Sequence, residues 1–221
     1  MFNSIAGRYD LLNHLLSLNS DKRWRKILAG SLEIDKNSKI LDIATGTGDL
    51  ALELSKRSPG KVTGIDIAEK MLEIAKEKAN RAGKGNIIDL KVARAENLPF
   101  DNDHFDFITV AFGVRNFEDL KLGLKEMQRV LKPGGTAAVL EFSKPGGPVF
   151  SRIYDLYFRA VLPLVGKIIS NNDFAYDYLH DSVEAFPYGN KFLEQMSLAG
   201  FKEMHLKKLT FGVCTIYYGK K

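Results

Sequence analysis

Cysteine is nearly absent from this chain of 221 residues: Cys214 is the only one. No internal disulfide and no cysteine-based metal site can form. Histidine is almost as sparse. His14, His104, His180 and His205 stand too far apart for metal-ligand spacing, so no metal is expected. No uncharged apolar run approaches the roughly 20 residues that span a bilayer. Arg8 and Asp10 interrupt the start before the apolar core of a secretory signal can form. A reducing cytoplasm is the expected location. There Cys214, set in an apolar stretch, reads as a buried structural thiol. Repeats, low-complexity tracts and linkers are missing too, so residues 1–221 read as one domain with a full core.

Charge of one sign is not concentrated either. The net charge is +5, but basic and acidic residues alternate. Glu69, Lys70, Glu73, Lys76, Glu77, Lys78, Arg81 and Lys84 show the mixing and read as a solvated helix face. Nothing here demands nucleic acid. The balance permits contact with anionic headgroups.

What is present is a loop between two acids. The run Lys39-Ile-Leu-Asp-Ile-Ala-Thr-Gly-Thr-Gly-Asp49 carries apolar residues into Asp42, then the small residues Ala44, Thr45, Gly46, Thr47 and Gly48. A second apolar run, 62–66, ends in Asp66. This reads as a strand, a tight turn into a helix, and a second strand whose carboxylate takes ribose hydroxyls. A dinucleotide would place its pyrophosphate on the helix N-terminus. Asp42 at the mouth of the loop and Asp49 just beyond it would repel that group. They suit the ammonium and sulfonium of S-adenosylmethionine. Glycine lets the backbone approach such a ligand closely, and Asp66 can accept from both ribose hydroxyls. The bland alternative is an ordinary strand–helix turn with solvated acids.

The rest of the chain alternates. Residues 9–30 read as a helix pair, 39–44 as the first strand and 48–57 as its helix, ended by Pro59 and Gly60. Strand two is 61–66, helix 68–82 follows, and strand three covers about 87–92. The apolar run 105–111 reads as a central parallel strand. Helix 117–131 is expected to stop at Lys132-Pro-Gly-Gly135, before strand five at 136–142. Residues 148–185 read as mostly helical and 188–199 as a helix capped by Gly200. Two strands close the chain, about 201–209 and 211–218. The short connection Thr210-Phe-Gly212 allows a hairpin, so the last strand is expected to be antiparallel. Alternation of this kind implies an α/β fold, a doubly wound parallel sheet with helices on both faces.

The arrangement resembles a class I S-adenosylmethionine-dependent methyltransferase. Within that class the chain is similar to the UbiE/COQ5 family. The narrower likeness rests on Phe2-Asn-Ser-Ile-Ala-Gly-Arg-Tyr-Asp10 with Asn13, Ser17 and Trp24, on Phe112-Gly-Val-Arg-Asn116, and on 129–135 running to Glu141-Phe-Ser143. Tyr154, Asp155, Leu162, Pro163, Tyr178, Leu179, Phe186 and Pro187 agree as well, so the likeness covers nearly the whole chain. Leu12, Asp21 and Arg94 depart from the family's usual Met, His and short polar residue. The resemblance implies a Rossmann-like sheet of seven strands, a helical N-terminal lid over 1–30 and a substrate-side helical insert over 148–185. It implies C-methylation of a prenylated quinol with S-adenosylmethionine as donor, most directly demethylmenaquinol to menaquinol. Other apolar or phenolic acceptors are the runner-up.

The expected cofactor contacts are Asp42, Ala44, Thr47 and the Gly46 and Gly48 backbone at the methionine end, Asp66 at the ribose, and Arg94 and Ala95 at the adenine. Ile67, Met71, Glu96 and Ala111 complete that expected lining. Arg115 and Asn116 follow strand four at its carboxyl end. Arginine cannot serve as a free base. It can stabilise a phenolate, while Asn116 bonds the quinol oxygen or caps the next helix. Tyr9 and Asp10 belong to the lid or merely start a helix. His180 has the intrinsic pKa of a general base or is a packed or exposed histidine. His104, in an Asp-Asn-Asp turn, reads as solvated, and Trp24 as core. The apolar stretch 153–169 reads as a face toward an acyl chain or toward a second copy in a homodimer. Transient contact with the inner face of a membrane follows from the substrate's tail.

Overall fold

In a computed structural model of the chain, residues 17, 19–57, 60–145 and 182–221 are described. Tyr9, Asp10, His180, nearly all of the expected insert and most of the expected lid lie outside them.

Among the described residues the main elements run α1 (Ser20–Ser31), β1 (Ile40–Ile43), α2 (Asp49–Ser55), β2 (Val62–Asp66), α3 (Glu69–Arg81), β3 (Ile88–Val92), β4 (Phe105–Ala111), α4 (Leu120–Val130), β5 (Leu131–Phe142), α5 (Asn190–Leu198), β6 (Lys202–Leu209) and β7 (Cys214–Lys220). They form one sheet in the order β3-β2-β1-β4-β5-β7-β6. The expected antiparallel last strand is there. β7 runs against both β5 and β6, while the pairs joining β1 to β5 are parallel. The chain moves outward from β1 to β3 on one side, then restarts at β4 on the other. That reversal leaves a crevice at the carboxyl ends of β1 and β4, where ligands of open α/β sheets bind.

Strand β1 is buried at all four positions, as a parallel strand covered on both faces must be. Its side chains alternate between two cores. Leu41 and Ile43 meet Leu124, Met127 and Phe192 beneath α4 and α5. Ile40 meets Leu28, Leu50 and Leu54 beneath α1 and α2. Helix α4 shows how the sequence makes this possible. Gly123, Leu124, Met127 and Val130 lie on one stripe and are buried. Each of the three large side chains contributes about 1.5–3 kcal/mol by leaving water.

Four expectations need correction. Helix α4 starts at Leu120, not 117, because residues Val114–Asn116 form a 3-10 turn and Phe117 is extended. Its cap is Asp119, whose carboxylate accepts from the Leu122 amide at 3.0 Å; Asn116 does not cap it. Strand β5 begins straight after the helix at Leu131. The Pro-Gly-Gly run appears as a bulge, with Leu131 opposite Phe105 and Thr136 already opposite Phe107. Proline cannot donate to the ladder, and Gly134 has φ +78°. His104 is half-buried rather than solvated, its ring edge-on to Phe105 at 4.8 Å.

Candidate active site

The loop after β1 is shaped from beneath by a buried acid. Asp42 is 1% exposed. It accepts hydrogen bonds from the hydroxyls of Thr45 and Thr109, each at 2.7 Å. Burial pushes its carboxyl up to about 6, against the pull of those two bonds. Asp42 therefore sits under the loop and holds it, not at an open mouth. Above it Ala44 has φ 52°, and on the next strand end Phe112 has φ 58°. Both are in the left-handed region that L residues rarely occupy. Gly113 fits between them: a Cβ there would lie 2.5 Å from the Ala44 Cβ. Strain of this kind concentrates at functional sites.

Asp66 ends β2 as expected. Its two oxygens accept from the Gly46 and Ala68 amides, each at 2.9 Å. A carboxylate has about four lone-pair sites, so these bonds leave capacity for a ligand. Burial raises its carboxyl above the usual range, while the amide bonds oppose that shift.

Between these acids and β4 opens a cleft of about 710 Å³, including its open mouth. Of the expected residues, Ala44, Gly46, Asp66, Ile67, Met71, Arg94, Ala95, Glu96, Ala111 and Asn116 form its walls. Phe112, Gly113, Phe117 and Glu118 line it as well and were not anticipated. Glu96 joins these walls by accepting from the Glu118 amide at 2.6 Å, and Arg94 pairs with the Glu118 carboxylate at 2.6 Å. A smaller hollow shares Ala44, Gly46 and Ala111 with the cleft and reaches Asp42 and Thr47. Gly48 packs against α3 instead. Its φ is +82°, and a Cβ would lie 3.0 Å from that of Ala75.

Asp49 departs from its expected role as a free acid. Its carboxylate pairs with Lys78 of α3 at 2.6 Å and lies 3.8 Å from Arg25 of α1. The charge near the loop is therefore mixed, not uniformly negative.

Arg115 is also more committed than its sequence position suggests. Its side chain is 8% exposed and pairs at 2.6 Å with Glu141, which is fully buried. Nη1 also donates to the Phe112 carbonyl at 2.7 Å, and Nε to the Ser182 hydroxyl at 3.3 Å. Among the described residues, Nη2 alone of its side-chain nitrogens has no partner. Glu141 escaped notice as a functional residue. The available signal was an acid inside the apolar run 137–142, which needs a buried cation. Arg25 escaped too, because nothing in α1 marks one arginine as buried.

A model of the ubiE/COQ5 methyltransferase family matches residues 1–221. The chain belongs to that family. Among its relatives, a demethylmenaquinone methyltransferase of Thermus thermophilus is 48% identical over the full length of both chains. A ubiquinone/menaquinone biosynthesis C-methyltransferase UbiE of Geotalea daltonii is 46% identical, over 100% of this chain and 94% of its own. Among solved structures, a methyltransferase of Thermotoga maritima, described as a possible histamine N-methyltransferase, aligns with a TM-score of 0.71 at 20% identity, covering 100% of this chain and 97% of that one. A Haemonchus contortus phosphoethanolamine N-methyltransferase in complex with S-adenosyl-L-methionine aligns at 0.70 and 13% identity, covering 100% of this chain and 60% of that one. These two likenesses show the class I methyltransferase fold. The ubiE/COQ5 family thus supplies the chain's sequence pattern, and the wider class its sheet.

Proposed function

We propose that this ubiE/COQ5 family member methylates a ring carbon of a prenylated quinol, demethylmenaquinol being the first candidate, with S-adenosylmethionine as donor. The observation that carries this is the end-to-end likeness to relatives named for ubiquinone/menaquinone biosynthesis and for demethylmenaquinone. The cleft is compatible with the donor. It is within the size range of small-ligand sites. It has one carboxylate at the end of β2 for ribose hydroxyls, and apolar walls at Ile67, Met71 and Phe117 for an adenine ring. When bound, the cofactor supplies a methyl group on a sulfonium and is released as S-adenosylhomocysteine.

The protein's tasks follow from the acceptor. A phenol with pKa near 10 is mostly protonated at neutral pH. A cation beside its oxygen lowers that pKa and pushes electron density to the adjacent ring carbon. We assign that part to Nη2 of Arg115, held in place by Glu141, and a hydrogen bond to the quinol oxygen to Asn116 on the cleft wall. The new carbon–carbon bond forms as the methyl leaves sulfur, and the ring proton then departs. We assign exclusion of water to Tyr9 and Asp10 and acceptance of a proton to His180, all three outside the described residues. Transfer of labelled methyl to a panel of reduced prenylquinones tests the reading. Inactivity on all of them, with cofactor bound and another phenolic lipid accepted, would move the chain to a different substrate.

A prenyl tail is insoluble, so the reading includes reversible contact with the inner face of a membrane. Among the described residues no helix is long and apolar enough to cross one. Five lysines, Lys167, Lys207, Lys208, Lys220 and Lys221, are candidates to meet headgroups; Lys220 is paired with Glu203 and Lys221 with Asp103. Lys207 and Lys208 on edge strand β6 remain for that role, and Lys167 lies outside the described residues. Vesicle sedimentation should show binding that weakens with salt; binding indifferent to salt and lipid charge would rule out the electrostatic part.

A further inference from the structure

We infer that Arg25 binds the carboxylate at the amino-acid end of the cofactor and so sets which adenosyl compounds the cleft accepts. The inference rests on the cofactor reading above. It begins from an arginine with too few partners. The Arg25 side chain is nine-tenths buried. Nη1 donates to Asp21 at 2.5 Å and stands 3.8 Å from Asp49. Its planar group lies 5.3 Å from the centre of the Phe112 ring. Among the described residues, Nε and Nη2 donate to nothing. A buried guanidinium with idle donors is costly, and a planar fork with two free nitrogens matches a carboxylate.

The hollow beside Arg25 fits such a partner by position and by charge. It shares Ala44, Gly46 and Ala111 with the cleft, and its lining includes neither Arg94 nor Ala95 of the expected adenine wall. A nucleoside with its ribose on Asp66 and its chain passing Gly46 would end there. Asp42 and Asp49 border the hollow with Arg25, and Lys78 holds Thr47 at 3.0 Å. A simple anion would meet the two acids. A simple cation would meet Arg25. An amino acid, with ammonium and carboxylate on one carbon, meets both signs at once.

Calorimetry on the full chain separates the parts. The ligands are S-adenosylhomocysteine, its decarboxylated analogue, which keeps the ammonium, and 5′-methylthioadenosine, which lacks the whole amino-acid end. Wild type should bind S-adenosylhomocysteine about 10- to 100-fold more tightly than the decarboxylated analogue, the scale of a charged hydrogen bond. Arg25→Gln should erase that preference while changing methylthioadenosine affinity less than about twofold, and Arg25→Lys should restore part of it. Because Arg25→Gln removes the cation paired with Asp21, the double variant Asp21→Asn/Arg25→Gln provides a second route, with the same loss expected. Equal weakening of all three ligands would make Arg25 merely structural and overturn the inference. So would a preference for the carboxylate that survives both variants. If wild type binds none of the three, the cofactor reading itself fails.

Discussion

Arg115→Ala should damage this protein twice, and the two injuries can be measured apart. Glu141 has no exposure and Arg115 almost none, and they meet at 2.6 Å. Removing the arginine leaves a carboxylate in the core with the Phe142 amide, at 2.9 Å, as a remaining donor. Breaking a buried pair from one side costs about 3–5 kcal/mol. Unfolding entropy of about 2.1 cal/mol/K per residue gives roughly 460 cal/mol/K for 221 residues. The melting temperature should therefore fall by about 6–11 °C. Replacing both partners, as in Arg115→Met/Glu141→Leu, should recover most of that, since no charge is stranded. Turnover is the second readout, taken well below the lowered midpoint. Loss of a donor aimed at developing negative charge costs about 100- to 1000-fold, while cofactor affinity should barely move. Arg115→Lys should rescue only in part, lacking the fork that serves Glu141 and the phenolate together. A melting point within about 2 °C of wild type would refute the stranded-charge reasoning. Near-normal turnover of folded Arg115→Ala on a quinol would refute the catalytic assignment.

Asp66→Ala should weaken S-adenosylhomocysteine binding by about 1.5–3 kcal/mol, the scale of charged hydrogen bonds; unchanged affinity by calorimetry would remove Asp66 from the ribose site. Asp42 holds its proton more tightly folded, at about 6, than at its ordinary 3.8. Stability should therefore fall as pH rises through that window and level off above it, and Asp42→Asn should lack this component. Urea titrations at pH 3.5 and 7 should show a difference between the two proteins of about 3 kcal/mol, and parallel curves would contradict it. Gly113→Ala places a Cβ 2.5 Å from that of Ala44. It should cost about 1–3 kcal/mol by overpacking and weaken cofactor binding; a neutral result would show that the two strand ends yield easily.

Short-range patterns were legible in the sequence. The apolar runs closing on Asp42 and Asp66, the small residues between them and the turn at Thr210–Gly212 all act within a few positions. They are enough to place the strands along the chain and to reverse the last one. What stayed hidden depends on residues far apart. Asp49 reads as a free acid until Lys78, 29 positions on, closes to 2.6 Å. Asp119 takes the cap from Asn116 because the 3-10 turn consumes three residues first. Glu141 could be noticed as an acid in an apolar strand, yet its partner could not be chosen from the arginines by spacing alone.

The cleft itself belongs to this second kind of information. Ile43 sits opposite Val110 in the parallel ladder, so β1 and β4 end side by side. Just past those ends, Ala44 and Phe112 both take left-handed backbone, which costs on the order of 1–3 kcal/mol at each. Neither residue favours that conformation by its own chemistry, and no turn motif announces it. The sheet imposes it: Thr45 donates its amide to the Ile65 carbonyl at 2.9 Å, and Phe112 donates to the Leu140 carbonyl at 2.8 Å. Each strand end is thus tied to the neighbour on its far side, β1 to β2 and β4 to β5. Pulled outward, the two ends leave the space that the cleft occupies. Gly113 is the contact at which they still touch, so relaxing either bend would close the site from its floor.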